Sequence, residues 1–300
     1  MRTRASCYGK LPFHREFIRV SLDGPGAAWV ERWVSEAHTA WTESGAAPED
    51  SPLVRFAAEA EGRLVVGVVR QSSDGLRRHP VALFVDLDDP PAADAWHVLP
   101  LAAIPTWDAL ASVLDSAPSS LDALRSALDE GVPAPDPGAA AAAYEAVLGE
   151  AAKGWPAFVG LADLPSRHVA LNFLAVAEAQ RGARSQEEGV AVGFPLGEPS
   201  GAEGRAALWL DAFASAAGPH RPVLLLSPAP ARLTAVYRPV EGRDLAAVLC
   251  SPAVSSIDDL AEAWQQWPPA DGAVAAAIAA LGSEATLGAL RTRLGGLAKP

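Results

Sequence analysis

The chain has 300 residues, half of them apolar, and a formal net charge of −12 at neutral pH. This length predicts two domains or one large one, with enough apolar residues for a buried core. An acidic surface repels phosphate groups, so nucleic acid and anionic lipid are disfavoured as partners.

The two cysteines, Cys7 and Cys250, form neither a Cys-x-x-Cys pair nor a metal-ligand spacing, and buried thiols are favoured over a disulfide between them. The basic start of the chain is followed by an apolar run that Lys10 and Arg15 interrupt, which does not fit a secretory signal. Uncharged stretches such as residues 95–107 are shorter than the about 20 residues of a membrane span. We therefore expect a cytoplasmic protein without membrane insertion.

The first half of the chain alternates strand and helix patterns. Residues 4–11 predict a short strand that runs into a loop, and residues 25–41 predict a helix. Three tryptophans, Trp29, Trp33 and Trp41, share one face of that helix. Such a stripe suits a partner-binding face, but large aromatic residues at helical spacing more often pack against a core, and we favour that interpretation.

Two apolar, β-branched runs, residues 63–70 and 80–86, predict strands buried on both faces. The segment between them contains an Asp-Gly turn signal, so we predict a hairpin with a long, polar, arginine-rich tip. Residues 90–130 then hold two or three helical stretches.

Residues 131–138 contain three prolines and two glycines and predict a linker, followed by a helix through residue 150. The second half predicts strands at 154–161, 190–196, 222–227 and 233–237, a helix at 166–181, and a mostly helical tail after 256. Residues 205–217 fit either a helix or a strand.

We predict an α/β protein, a three-layer α/β/α sandwich with a mixed sheet and C-terminal helices. The linker suggests a first α/β domain over residues 1–132 and a second α/β portion over 139–300. The alternative is that the later strands join the first sheet in one large domain.

The segment 7–17, Cys-Tyr-Gly-Lys-Leu-Pro-Phe-His-Arg-Glu-Phe, resembles the N-terminal signature of the TagF/ImpM family of type VI secretion accessory proteins. Two further segments follow in order: 51–56, similar to the family's Ser-Pro-x-Trp-Arg-Phe, and 72–80, similar to its hairpin tip. The chain departs from the family pattern at residues 13–17 and at Arg77, where a glycine is common.

The candidate site residues are two groups of polar side chains. One is the hairpin tip, where an arginine fork suits a carboxylate or phosphate on a partner, and the other is the loop after the first strand. A solvated surface is the alternative for both groups. These candidates for protein interaction are Lys10, Arg15, Asp74, Arg77, Arg78 and His79.

Catalysis has little support in the sequence. No GxSxG, HExxH, GxGxxG or Walker pattern occurs, and the six histidines form no i, i+3 or i, i+4 pair that would suggest a helix-borne metal site. We therefore expect no catalytic residue, cofactor or metal, although a hydrolase with a scattered triad stays an alternative.

The family resemblance implies a non-enzymatic, post-translational regulator of the bacterial type VI secretion system. It further implies a repressor that binds a protein partner, a forkhead-associated scaffold of the same system. A structural accessory subunit of the apparatus is the alternative of a different class. The two differ in sign, because deletion of a repressor raises secretion and deletion of a subunit abolishes it.

Overall fold

The computed structural model describes residues 1–44, 52–72, 79–149, 173, 176–228, 231–250 and 258–259. Its strands are β1 (Arg2–Thr3), β2 (Ser6–Gly9), β3 (Ile18–Val20), β4 (Val54–Ala60), β5 (Arg63–Arg70), β6 (Val81–Leu87), β7 (Val132–Pro133), β8 (Ala191–Gly197), β9 (Val223–Pro228), β10 (Ala231–Val236) and β11 (Asp258–Asp259). Its α-helices are α1 (Pro25–Ser44), α2 (Leu99–Ala102), α3 (Ile104–Asp115), α4 (Leu121–Asp129), α5 (Pro137–Gly149), α6 (Ala202–Ala217) and α7 (Gly242–Cys250). Residues 176–182 are also helical.

A nine-stranded sheet forms the centre of the molecule, in the order β11-β8-β10-β9-β4-β5-β6-β2-β3. Its neighbouring strands are antiparallel except β11, which pairs parallel with β8. The predicted mixed sheet is therefore confirmed. The hairpin of β5 and β6 is also present, with Val69 opposite Ala82 and Arg70 opposite Val81.

Helices cover both faces of this sheet, as the three-layer prediction requires. One face packs against α2 to α6 through a cluster that includes Trp96, Trp107, Leu110 and Phe213. The other face packs against α1 and α7, where Trp33 lies on Phe56. Because side chains alternate between faces, β5 contributes Val66 and Val68 to the first cluster and its other valines to the second. This explains why the strand is a continuous apolar run.

The sheet takes strands from both sides of the predicted linker. Strand β4 pairs with β5 on one side and with β9 on the other, at Arg55–Leu226, Phe56–Leu225 and Ala57–Leu224. Within the predicted linker, Val132 and Pro133 form β7, which pairs with the start of the chain, and helix α5 already begins at Pro137. Strands from before and after residues 131–138 thus share one sheet.

Two sequence-based expectations change. Residues 205–217, which fit either a helix or a strand, form helix α6, and residues 258–259, in the tail expected to be mostly helical, form β11. The predicted strand at 154–161, the first part of the helix at 166–181, and the helical tail beyond residue 259 lie outside the described residues.

The start of α1 is attached to the sheet by a carboxylate. Asp86, near the end of β6, accepts a hydrogen bond from the backbone N–H of Ala27 in the first helical turn, at 3.2 Å. The same carboxylate pairs with Arg63 on β5. A Cβ on Gly26 would lie 2.7 Å from the Asp86 carboxyl carbon, so only glycine allows the helix to approach this closely. The arrangement fixes where α1 begins and positions its later turns beside the hairpin.

Candidate protein-interaction site

Gly9 joins the N-terminal segment to the base of the arginine-rich hairpin. It is the last residue of β2, with a φ of +133°, and a Cβ there would lie 2.0 Å from the carbonyl oxygen of Pro80. No side chain fits this approach, and the conformation itself favours glycine. The glycine of the Tyr-Gly-Lys-Leu-Pro segment therefore brings the loop after β2 against the start of β6.

Three aromatic rings meet where these segments touch. Tyr8 from β2 stacks on Phe17, with ring centroids 5.9 Å apart. His79, which precedes β6, meets both rings edge-on, at 5.4 Å from Tyr8 and 4.8 Å from Phe17. We call Tyr8, Phe17 and His79 the aromatic cluster. It unites two of the three segments that carried the family resemblance.

Helix α1 completes the cluster from the other side. The hydroxyl of Ser35 lies 2.8 Å from the Tyr8 hydroxyl and 3.3 Å from His79 Nε2. The ring of His38, one turn further along the helix, lies 5.0 Å from the His79 ring. Both helix residues approach the face of the sheet that α1 covers, so the position of α1 determines the position of these two polar groups.

The hydrogen bonds of His79 define its protonation. Its Nδ1 lies 3.0 Å from the carbonyl oxygen of Pro80, which can only accept, so Nδ1 carries the proton. In the neutral ring Nε2 then accepts from the Ser35 hydroxyl, which in turn accepts from Tyr8. His79 is 5% exposed, and burial is the main cause that lowers its pKa to about 4.

We expect this buried neutral histidine to make the fold sensitive to acid. The folded-state pKa lies below the ordinary value, so between pH 6.5 and about 4 the unfolded chain binds a proton that the folded chain does not. Stability present above pH 6.5 is therefore lost as the pH falls, by on the order of 2 kcal/mol at pH 4.5. Urea unfolding of the wild type and His79→Gln at pH 7 and pH 4.5 measures this. The variant, which does not titrate here, should lose less stability on acidification, and equal losses would contradict the assignment.

Phe17 presents the aromatic cluster to the surface. It is 43% exposed, the only large apolar side chain besides Met1 that is exposed in the part of the chain the structure describes. The ammonium group of Lys10 lies 4.8 Å above its ring, and the same group donates to the carbonyl oxygen of Arg15, at 3.3 Å. Arg15 is itself exposed. An exposed aromatic ring under a cation is a surface suited to protein contact.

The sequence-predicted residues fall into two groups. Lys10, Arg15 and His79 come together at this site, with Arg15 in contact through its backbone carbonyl oxygen. His79 is buried against the protein's own residues rather than exposed at the hairpin tip. The other predicted residues, Asp74, Arg77 and Arg78, lie outside the described residues. The hairpin they belong to ends beside the aromatic cluster, since His79 and Pro80 follow them directly.

Sequence reasoning did not identify Phe17, Tyr8, Ser35 or His38 as site residues. The available signal was the family's acidic-Phe pair, which places an aromatic residue after Glu16 in this chain. The tryptophan stripe, in contrast, packs inside: Trp33 and Trp41 are buried, and Trp29 is half-buried with its ring 4.9 Å from that of Trp33.

Metal ligands, a reactive thiol and membrane-spanning helices are the other features considered. Within the described ranges, no group of three or more His, Cys, Asp or Glu side chains is arranged to hold a metal. Cys7 is a free thiol, and burial raises its pKa to about 12, which keeps it protonated and unreactive. No single helix that the structure describes is long and apolar enough to cross a membrane; one pair bent by 45°, Ala93–Ala102 with Ile104–Asp115, meets the length and composition requirements.

Comparison with known proteins identifies the class of the N-terminal part. Residues 6–130 match the family model of the TagF N-terminal domain, described as type VI secretion system-associated. The matched segment includes the whole aromatic cluster. Residues 6–130 therefore form a TagF N-terminal domain, a domain described as type VI secretion system-associated, as the resemblance of the three segments indicated.

Among solved structures, the chain is similar to PA0076 from Pseudomonas aeruginosa PAO1. The two are 24% identical, and the match covers 44% of this chain and 64% of that one, with a TM-score of 0.35. The match thus spans less than two thirds of the solved protein. No curated protein matches the chain.

Proposed function

We propose that the protein is a non-enzymatic regulator of type VI secretion, which represses the apparatus post-translationally by binding a forkhead-associated scaffold protein in the cytoplasm. The mechanism is sequestration: the rigid α/β body covers the surface that the scaffold uses to activate the apparatus. Such an interface needs about 800 Å² on each partner, with a few anchoring side chains.

The exposed Phe17 ring is the single observation that supports this proposal most. The Phe17 side chain is 43% exposed, so part of its aromatic surface is free to contact a partner. Here the ring is held by contacts with Tyr8, His79 and Lys10, so it loses little conformational freedom on binding. Pre-ordered aromatic side chains with neighbouring cations are typical interface anchors. All four residues lie inside the matched family segment.

Replacing Phe17 with alanine should weaken scaffold binding at least about ten-fold, a loss typical of an interface anchor. The measurement is a pull-down with the tagged full-length chain from its native cell, followed by titration with the recovered partner. Phe13→Ala is the matched control, because it removes the same ring from the same loop. Phe13 packs against the opposite face of the sheet. If both variants bind the scaffold equally well, Phe17 is not part of the interface.

Arg78→Glu extends the test to the arginine-rich tip between β5 and β6. Loss of the scaffold with this variant places the tip in the interface together with Phe17. The sign of regulation is tested separately by deletion of the gene, which should increase secretion. Abolished secretion would instead favour the structural-subunit alternative, and turnover of ester substrates by the purified protein would favour a hydrolase.

A further inference from the structure

A large groove lies at the opposite end of the sheet from the aromatic cluster. It has a volume of about 990 Å³ and includes the turn of Glu61 and Gly62 that joins β4 to β5. The arginine-rich hairpin joins the other end of β5 to β6, so the turn of Glu61 and Gly62 and the base of the hairpin lie at opposite ends of the eight-residue β5. Phe17, Tyr8 and His79 do not line the groove, which is therefore a second surface.

The groove is cationic although the protein is strongly acidic. Five arginines line it against two glutamates, Glu59 and Glu61, while the whole chain has 24 basic and 36 acidic residues. The arginines come from four separate segments: α1, the end of the helical residues 176–182 and the loop after them, the loop before β9, and the loop after β10. They are Arg32, Arg181, Arg184, Arg221 and Arg238.

Some of these arginines have structural partners. Arg221 pairs with Glu59 at 2.6 Å, and Arg238 pairs with the buried Asp244 at 2.7 Å. Arg32 and Arg184 are exposed, and no ion pair of either side chain occurs among the residues that the structure describes. Two cations are thus available at the groove, in which ion pairs hold Arg221 and Arg238 in place.

We infer that this groove binds a carboxylate-rich peptide segment of a partner protein. Arginine forks match carboxylates in geometry as well as in charge. Cations distributed over several segments and a large open volume fit an elongated ligand with several negative charges, not one compact anion. The half-buried Trp29 beside Arg32 adds an apolar wall on which a peptide can pack.

The charge distribution favours an acidic peptide over a nucleic acid. A nucleic acid strand carries phosphates along its whole length and would run from the groove onto the acidic surface, where it is repelled. A short acidic segment ends within the groove and avoids that repulsion. The negative charge of the rest of the protein repels acidic ligands that do not reach the arginines, and this repulsion contributes to specificity.

The test uses the full-length chain and a fluorescein-labelled decapeptide of glutamate, with binding followed by fluorescence anisotropy at low salt. We expect saturable binding that weakens as salt is added. The double variant Arg32→Glu/Arg184→Glu should bind at least about ten-fold more weakly, since two exposed attractive contacts become repulsive. Arg32→Gln/Arg184→Gln should give an intermediate loss.

The double variant Arg4→Glu/Arg125→Glu is the matched control, because it makes the same change of net charge at two exposed arginines outside the groove. Equal weakening by this variant would show a general effect of net charge and overturn the site. Two further results would overturn the proposal: binding of a glutamine decapeptide as tight as that of the glutamate peptide, or tighter binding of a ten-nucleotide oligothymidylate. Because the Phe17→Ala variant keeps the groove, it should bind the glutamate peptide normally whether or not it retains the scaffold.

Discussion

Replacing Asp86 with alanine is expected to lower the free energy of unfolding by about 3 kcal/mol. The carboxylate is shielded from solvent, pairs with Arg63, and accepts the hydrogen bond from Ala27 at the start of α1. Its hydrogen bond with Arg63 is the main cause that raises the pKa of the arginine. Without Asp86, a half-buried guanidinium loses its closest partner, and the positive end of the helix loses its acceptor. Chemical denaturation of the purified variant measures the loss.

Asp88→Ala is the matched control for this effect. Asp88 pairs with the same arginine, but its side chain is 82% exposed, so solvent and salt weaken the interaction. We expect this variant to unfold at nearly the wild-type denaturant concentration. If the two alanine variants lose the same stability, the attachment of α1 through Asp86 is not what stabilises this part of the fold.

Replacing Arg238 with alanine is expected to cost about 3–4 kcal/mol. The carboxylate of Asp244 is fully buried and bonded by both terminal nitrogens of Arg238, at 2.9 and 2.7 Å. It also accepts from the backbone N–H of Glu241, just before α7, while the Asp244 N–H donates to the Glu241 carbonyl oxygen. Removing the arginine leaves a buried carboxylate with its charge uncompensated. The thermal midpoint and the denaturation midpoint should both fall.

A neighbouring arginine provides the comparison. Arg243 pairs with Glu241 at 2.5 Å, but both side chains are about half exposed. Arg243→Ala removes one positive charge five residues further along the chain and should change the free energy of unfolding little. A loss for Arg243→Ala equal to that for Arg238→Ala would indicate a general charge effect instead of the loss of a buried pair.

The elements predicted best from sequence are those whose burial is visible in a short window. Strand β5 and helix α1 were placed to within a few residues, because their apolar residues repeat with the period of the element. Strand β4 was not predicted as a strand. Its sequence, VRFAAEA, contains three alanines with low strand propensity, and it is held in place by pairing with β5 and β9 on its two sides.

Helix α6 shows a second reason why local patterns fail. It is buried over most of its circumference, including Arg205 and Asp211, so apolar residues do not mark one face. At the candidate site, the N-terminal family motif indicated Lys10 and Arg15 as candidates for protein interaction. That Phe17 would be exposed could not be predicted, because it depends on how Gly9, Pro80 and α1 meet in three dimensions.

The pairing of β4 with β9 separates the unit of sequence similarity from the unit of folding. The family match ends at residue 130, whereas the strand next to β4 is formed by residues 223–228. A polypeptide cut at residue 130 would leave β4 with unpaired backbone N–H and C=O groups along an apolar edge. Such an edge invites pairing between molecules and aggregation. In this protein the sheet of the TagF N-terminal domain is therefore continued by a strand from the second half of the chain, and the two halves must fold together.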